Sequence, residues 1–153
     1  MAIDATVGGT SANSYITLAD ADTYFFNRLH TDTWDALTDP EKEASLIWAT
    51  RVIESIISEE WDKTSLPNDA TIRILSTVKA DSEIYYVWTG DPATTTQALA
   101  WPRTGMKSRN GFDIDDDVIP NQLKDFQCEL ALKLSAEDRT EENAAAVQGL
   151  TSI

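Results

Sequence analysis

Along the first third of the chain, apolar residues recur at helical spacing rather than alternating. Leu18, Ala21, Phe25 and Leu29 fall at i, i+3, i+7 and i+11, which predicts one buried helical face. Thr17 precedes them with Asp20 three residues on, a variant of the capping box, so the helix is expected to start there. Residues 1–16 are rich in Gly, Thr, Ser and Asn, with Ile3, Val7 and Ile16 as apolar punctuation, and read as an extended arm. Residues 30–38, with Trp34 and Leu37, read as a loop containing a helical turn.

A stronger start signal is Asp39-Pro40-Glu41: a capping aspartate, a proline at the first helical position, then an acid in the first turn. Leu46, Ala49, Ile53, Ile56 and Ile57 form a stripe that Trp48 and Val52 widen. So broad a stripe predicts a central helix packed on two sides, running to Ser58. Residues 59–70 form a polar connection. From Asp69 to Trp88 the spacing of Leu75, Val78 and Tyr85 favours helix, while β-branched Ile72, Ile74 and Val78 leave strand open. After a turn-rich break at 89–96, residues 105–118 read as a hairpin around Asn110-Gly111. Pro120 opens the clearest helix, with Leu123, Phe126, Leu130 and Leu134 on one face, flanked by Cys128, Ala131 and Leu132, ending near Ala136. Residues 67–90 and 120–138 both open with Pro-Asn, but their later offsets differ, so no repeat is assigned.

The pattern predicts a mainly α fold. It is a small bundle of about four helices with a short β-hairpin or extended loop near 100–118 and extended terminal arms. One domain is expected over 1–136, including the arm 1–16, with 137–153 as a tail that orders on a partner.

Charge changes the picture. The 153 residues carry 26 acidic and 12 basic side chains, for a net charge of −14. Nucleic-acid binders gain affinity by neutralising phosphates, and this balance works against that. Cys128 is the single cysteine, which leaves no intrachain disulfide and fits a reducing compartment. The start MAIDATVGG has neither the basic region nor the apolar run of a signal peptide, and no apolar run approaches a membrane span. No membrane partner is expected.

Candidate chemistry is sparse. His30, the one histidine, sits at the predicted end of the first helix, where it would complement the helix dipole. Cys128 flanks an apolar stripe and reads as a small hydrophobe. Asp113, Asp115, Asp116 and Asp117 invite a calcium loop, but that loop requires a glycine at its sixth position and a glutamate at its twelfth. Here those positions hold Val118 and Lys124, so the run reads as an acidic loop ahead of a helix. Phosphate-binding, dinucleotide-binding and C-x-x-C motifs are absent, so neither an enzyme nor a cofactor is expected. Arg103, Lys107 and Arg109 form the local basic cluster, with Trp101 and Phe112 close by. Such interleaving suits single-stranded nucleic acid, although the four aspartates offer internal pairing. In QALAWPRTG (97–105), Pro102 disfavours helix at Trp101. Trp101 is expected to plug the core as an anchor, with Arg103 projecting from the turn.

Three blocks together resemble a known family: GTSANSYITLADADTYF, DPEKEASLIWATRVIE and QALAWPRTGMKSRNGFDIDDDVIPNQLKDFQCELAL. They are similar, in this order, to tailed-phage proteins labelled DnaT-like, and WPRTG is the most specific part. The stretch from Glu54 to Thr89 departs from the pattern. The family resembles the head-to-tail connector (adaptor) proteins of long-tailed phages. That resemblance implies a virion structural protein of the neck, made in the host cytoplasm. It also implies a homo-oligomeric ring of about twelve subunits closed by one repeated interface. The ring would sit under the portal protein, extend the DNA channel without sequence-specific binding, and dock the next neck or tail-completion protein. Subunit or partner contacts are then expected from Arg103, Lys107, Arg109 and Phe112, and from Glu137, Asp138, Arg139, Val147, Leu150 and Ile153 of the tail. The family label implies the alternative, a replication accessory protein that binds single-stranded DNA. The net charge favours the connector as the expectation, since a channel should not grip DNA.

Overall fold

The computed structural model describes residues 2–56, 77–78, 84–85 and 90–136. Among these, four helices appear in chain order: α1 (Leu18–Phe26), α2 (Asp32–Asp35), α3 (Asp39–Ile56) and α4 (Asn121–Ala136). Between α3 and α4 lie four two-residue strands, β1 (Thr77–Val78), β2 (Ile84–Tyr85), β3 (Asp91–Pro92) and β4 (Arg103–Thr104). They form two antiparallel pairs, β1 with β2 and β3 with β4. The fold is the expected small helical bundle.

Helix starts follow local chemistry. Thr17 caps α1, its hydroxyl accepting the Asp20 N–H at 3.1 Å. The cap of α3 is Thr38 rather than Asp39. The Glu41 carboxylate reaches back to accept both the Thr38 N–H at 2.8 Å and the Thr38 hydroxyl at 2.7 Å. This is half of a capping box, and it sets the start one residue earlier than the proline signal suggested. Helix α1 also stops sooner than its apolar spacing implied. The N–H groups of Asn27 and Arg28 bond the carbonyls of Tyr24 and Phe25, a tightened i→i−3 turn that leads the chain away. Leu29 therefore leaves the apolar face and is 79% exposed. His30 sits in the loop beyond, in left-handed backbone at φ 59°, not in the last turn of the helix.

The core has two apolar clusters. One gathers Ile16, Ala21, Phe25, Trp34, Leu46, Ala49, Cys128, Ala131 and Leu132. Within it Phe25 and Trp34 stack at 4.2 Å. The other gathers Tyr15, Ile53, Ala100, Trp101, Ile119 and Leu123. Helix α3 enters the first cluster through Leu46 and the second through Ile53, while α4 runs from Leu123 to Leu132 in the opposite sense. Between the clusters lies Gln127, wholly buried. Its Nε2 donates to Ser14 Oγ at 2.7 Å and to the Leu46 carbonyl at 3.0 Å, and its Oε1 accepts the Tyr15 N–H at 3.1 Å. One amide thus joins the N-terminal segment, α3 and α4.

Gln127 also explains a rotated face. The buried side of α4 is Leu123, Gln127 and Ala131, with Cys128 and Leu132 beside them. The stripe expected from apolar residues alone ran through Phe126, which is 49% exposed. Trp48, expected to widen the core face of α3, is likewise 43% exposed. At the edge, α1 and α4 are tied by Arg28, whose guanidinium meets both oxygens of Glu129 at 2.6 and 2.9 Å. The Tyr24 hydroxyl donates to the same carboxylate at 2.5 Å.

Two further expectations change. The N-terminal arm is not extended. The Asp4 N–H donates to Asn13 Oδ1 at 2.7 Å and the Asn13 N–H to the Asp4 carbonyl at 2.8 Å. These bonds close a loop that packs Ala12, Ser14, Tyr15 and Ile16 into the body. Helix was favoured over Asp69–Trp88, yet Thr77–Val78 pairs with Ile84–Tyr85 as strand. β-Branched Thr77, Val78 and Ile84 suit a pleated ladder better than a helix. The rest of that stretch, together with Ile57 and the tail 137–153, lies outside the described residues.

Gln127→Leu keeps the volume but leaves the buried Tyr15 N–H without its acceptor, and takes one donor each from Ser14 Oγ and the Leu46 carbonyl. A loss of about 3 kcal/mol is expected, a fall of roughly 9 °C in Tm for a chain of this size. Thermal melts check it, and a wild-type midpoint would show that the amide is not structural.

Candidate functional site

QALAWPRTG resolves into a corner in which nearly every polar group has an assigned partner. The Gln97 side chain donates to the carbonyls of Leu99 and Pro102 at 2.8 and 2.9 Å and accepts the Thr94 N–H at 3.0 Å. The Ala98 N–H reaches the Gly9 carbonyl at 3.0 Å, tying the corner to the N-terminal loop. Trp101 and Pro102 are buried, as expected of anchors, and Trp101 packs in the second apolar cluster.

Arg103 does not project. It is 2% exposed, and its guanidinium donates to the Ala100 carbonyl at 3.0 Å and the Gly90 carbonyl at 2.9 Å. The reason is the β3–β4 pairing, which sets Pro92 opposite Arg103 and Asp91 opposite Thr104 and turns the side chain inward. Gly90 permits that pairing: it has φ 67°, and a Cβ there would lie 2.0 Å from the Thr104 carbonyl oxygen. Beside Arg103 stands Glu54 of α3, which accepts the Ala100 N–H at 3.1 Å and the Tyr15 hydroxyl. Residue Ala100 is thereby gripped at its N–H by a carboxylate and at its carbonyl by a guanidinium. Burial pushes the Glu54 carboxyl above its ordinary range. Hydrogen bonds from Tyr15 and Ala100 and the Arg103 charge oppose that shift. Burial and the Glu54 charge push the Tyr15 phenol up.

Beyond Arg103 the chain forms the hairpin. The Ile114 N–H donates to the Met106 carbonyl at 2.9 Å and the Ser108 N–H to the Phe112 carbonyl at 2.7 Å, with Gly111 at φ 84° in the turn. Met106 and Ile114 rest on the second apolar cluster and seat the base. The tip stands in solvent: Lys107, Arg109 and Phe112 are exposed, Phe112 by 72%. Lys107 Nζ pairs with Asp113 Oδ1 at 2.6 Å, and that bond holds the Asp113 carboxyl below its usual range. Asp115, Asp116 and Asp117 follow in an exposed turn.

A groove of about 830 Å³ runs between α3 and residues 92–100. Four of its polar side chains serve the fold. Asn13 bonds the N-terminal loop, Gln97 the corner, Ser55 the Val52 carbonyl, and Glu54 the Ala100 N–H. Cys128 is buried, and burial lifts its thiol to about 12, so it acts as a core hydrophobe. Among the described residues no three His, Cys, Asp or Glu converge to hold a metal, and no helix is long and apolar enough to cross a membrane.

The sequence-predicted contact residues therefore divide. Lys107, Arg109 and Phe112 come together on the exposed hairpin, and Arg103 is withdrawn into the corner. Glu137, Asp138, Arg139, Val147, Leu150 and Ile153 lie outside the described residues. Glu54, Gln97 and Gln127 had no motif to mark them. The available signal was helical phase, since Gln127 lies four residues from both Leu123 and Ala131.

The chain matches the family described as "Putative DnaT-like ssDNA binding protein" over residues 1–71 and 69–151. It belongs to that family. The join between the two matched parts falls inside the Glu54–Thr89 stretch, where the DnaT-like pattern is least regular. No curated protein and no solved structure matches this DnaT-like chain. The family finding overturns the head-to-tail connector expectation, and with it the virion ring, the portal and neck partners and a channel that DNA crosses unbound. Net charge is a weak guide because it sums over the whole surface, whereas single-strand contact in general requires only a local cationic and aromatic patch.

The half-buried Glu54 yields a pH signature. A carboxyl whose folded pKa is raised contributes stability below its unfolded pKa and loses that contribution as pH rises through the folded pKa. Glu54→Gln does not titrate, so its stability relative to wild type is expected to rise as pH climbs above the ordinary glutamate range. Melts of both proteins across that rise in pH test it, and a constant difference would refute it.

Proposed function

We propose that this protein is a replication accessory protein that binds single-stranded DNA through the hairpin 106–114. The observation that carries the reading is Phe112, which stands 72% exposed at the tip on the same hairpin as Lys107 and Arg109. An exposed phenyl ring costs free energy in water unless something covers it, and an unpaired base offers a flat face of matching size. Two cations on the same hairpin can meet the flanking phosphates. Membership of the DnaT-like family supports the same ligand class.

The surrounding acids shape the affinity. Asp113 holds Lys107, so phosphate must displace a carboxylate there. Asp115, Asp116 and Asp117 add repulsion close by. Modest affinity and ready release follow, with stacking as the larger attractive term. Arg103 contributes no phosphate contact, because its guanidinium is turned into the corner.

Anisotropy titrations of a fluorescent oligo(dT) across a salt series test the proposal. Phe112→Ala is expected to weaken binding by about 1–3 kcal/mol, the range for one stacked base. Joint replacement of Lys107 and Arg109 by Ala is expected to flatten the slope of log K against log salt by about 1.4, the value for two single-strand phosphate contacts. Wild-type affinity and slope in both variants would sink the hairpin as the binding element.

A further inference from the structure

We propose that Arg103 is a positioning residue for DNA contact, one that sets the hairpin from within the corner and touches no phosphate. The inference rests on the proposed single-strand binding through residues 106–114.

The geometry is specific. A guanidinium presents donors in a rigid planar fork, and here two arms of that fork hold two carbonyls far apart in sequence. Nη1 takes the Ala100 carbonyl, which belongs to the wall of the second apolar cluster, and Nη2 takes the Gly90 carbonyl, which leads into β3. Arg103 itself is half of β4, and the hairpin begins two residues later. The entry to the hairpin is therefore clamped to the core on one side and to its pairing strand on the other. Glu54 completes the clamp from α3 by holding the N–H of the same residue, Ala100. Gln97 supports it from behind through the Pro102 carbonyl.

The hairpin has little else to orient it. Met106 and Ile114 provide its apolar footing, and every residue of 107–113 except Ser108 is exposed. A loop that must be ordered at the moment of binding loses affinity to that ordering, so a clamp at its root raises affinity without adding a contact. The same logic explains why a cation is tolerated in the core. Its charge faces Glu54 and Tyr15, and its donors face carbonyls.

A positioning role and a contact role leave different signatures. Loss of a phosphate contact flattens the salt slope by about 0.7. Loss of positioning weakens binding and leaves the slope unchanged. Arg103→Gln removes both the cation and the fork that held two carbonyls. Gln97→Ala loosens the same corner without touching the cation, and guards against a variant that fails to fold. With fluorescent oligo(dT), both full-length variants are expected to bind about tenfold more weakly than wild type at an unchanged salt slope. Without DNA, amide hydrogen exchange over 106–114 is expected to quicken while α4 keeps its protection.

A slope lowered in Arg103→Gln, or wild-type affinity in both variants, would overturn the positioning role and leave single-strand binding intact. Faster hairpin exchange with unchanged affinity would overturn it as well. Failure of the wild-type protein to bind oligo(dT) at low salt would overturn both readings together.

Discussion

The fold depends on one buried amide. Gln127 lies where two apolar clusters meet, and its three hydrogen bonds reach Ser14, Tyr15 and Leu46. Apolar contact alone would let α3 and α4 slide or rotate against one another, because dispersion and hydrophobic burial are not directional. A buried amide is directional, and misregister would strand polar groups away from water. The antiparallel pairing of α3 and α4, the phase of α4 and the seating of the N-terminal loop are therefore one choice.

The same device recurs at the second cluster with charge added. Glu54 and Arg103 hold the N–H and the carbonyl of Ala100, and Trp101 fills the space behind. This corner carries the direction of the helix pair into the exposed hairpin. The chain leaves the core at β4, crosses Gly105 and becomes the hairpin. What the helices determine is thus where Phe112 points, although none of them touches it.

Much of the fold was legible in the sequence. Thr17 with Asp20, the Asn110-Gly111 turn and the Pro120 start each rest on chemistry confined to a few residues, and the structure places them as expected. Expectations based on apolar spacing alone went astray where a polar residue took a core position. Counting Phe126 rather than Gln127 rotated α4, and counting Trp48 broadened α3 beyond its buried face. Arg103 was misread for the same reason. A cation in a turn reads as exposed until its carbonyl partners are known, and Gly90 lies 13 residues away in sequence. On the functional side, the cluster Lys107, Arg109 and Phe112 was visible locally. The summed charge of −14 argued against a nucleic-acid contact there, yet a total carries no information about placement.

The Tyr15–Gln127 bond spans 112 residues and Gln127–Leu46 spans 81. Contacts so distant in sequence raise contact order and slow folding, since the intervening chain must be closed before they form. During synthesis, α1 and α3 leave the ribosome well before the surface that completes their core. Until α4 follows, Leu46, Ile53 and Trp34 have no full partner, and the nascent chain carries a sticky, half-built core. Its charge then has a role quite separate from DNA. Mutual repulsion among acidic nascent chains keeps such intermediates apart until the last helix arrives.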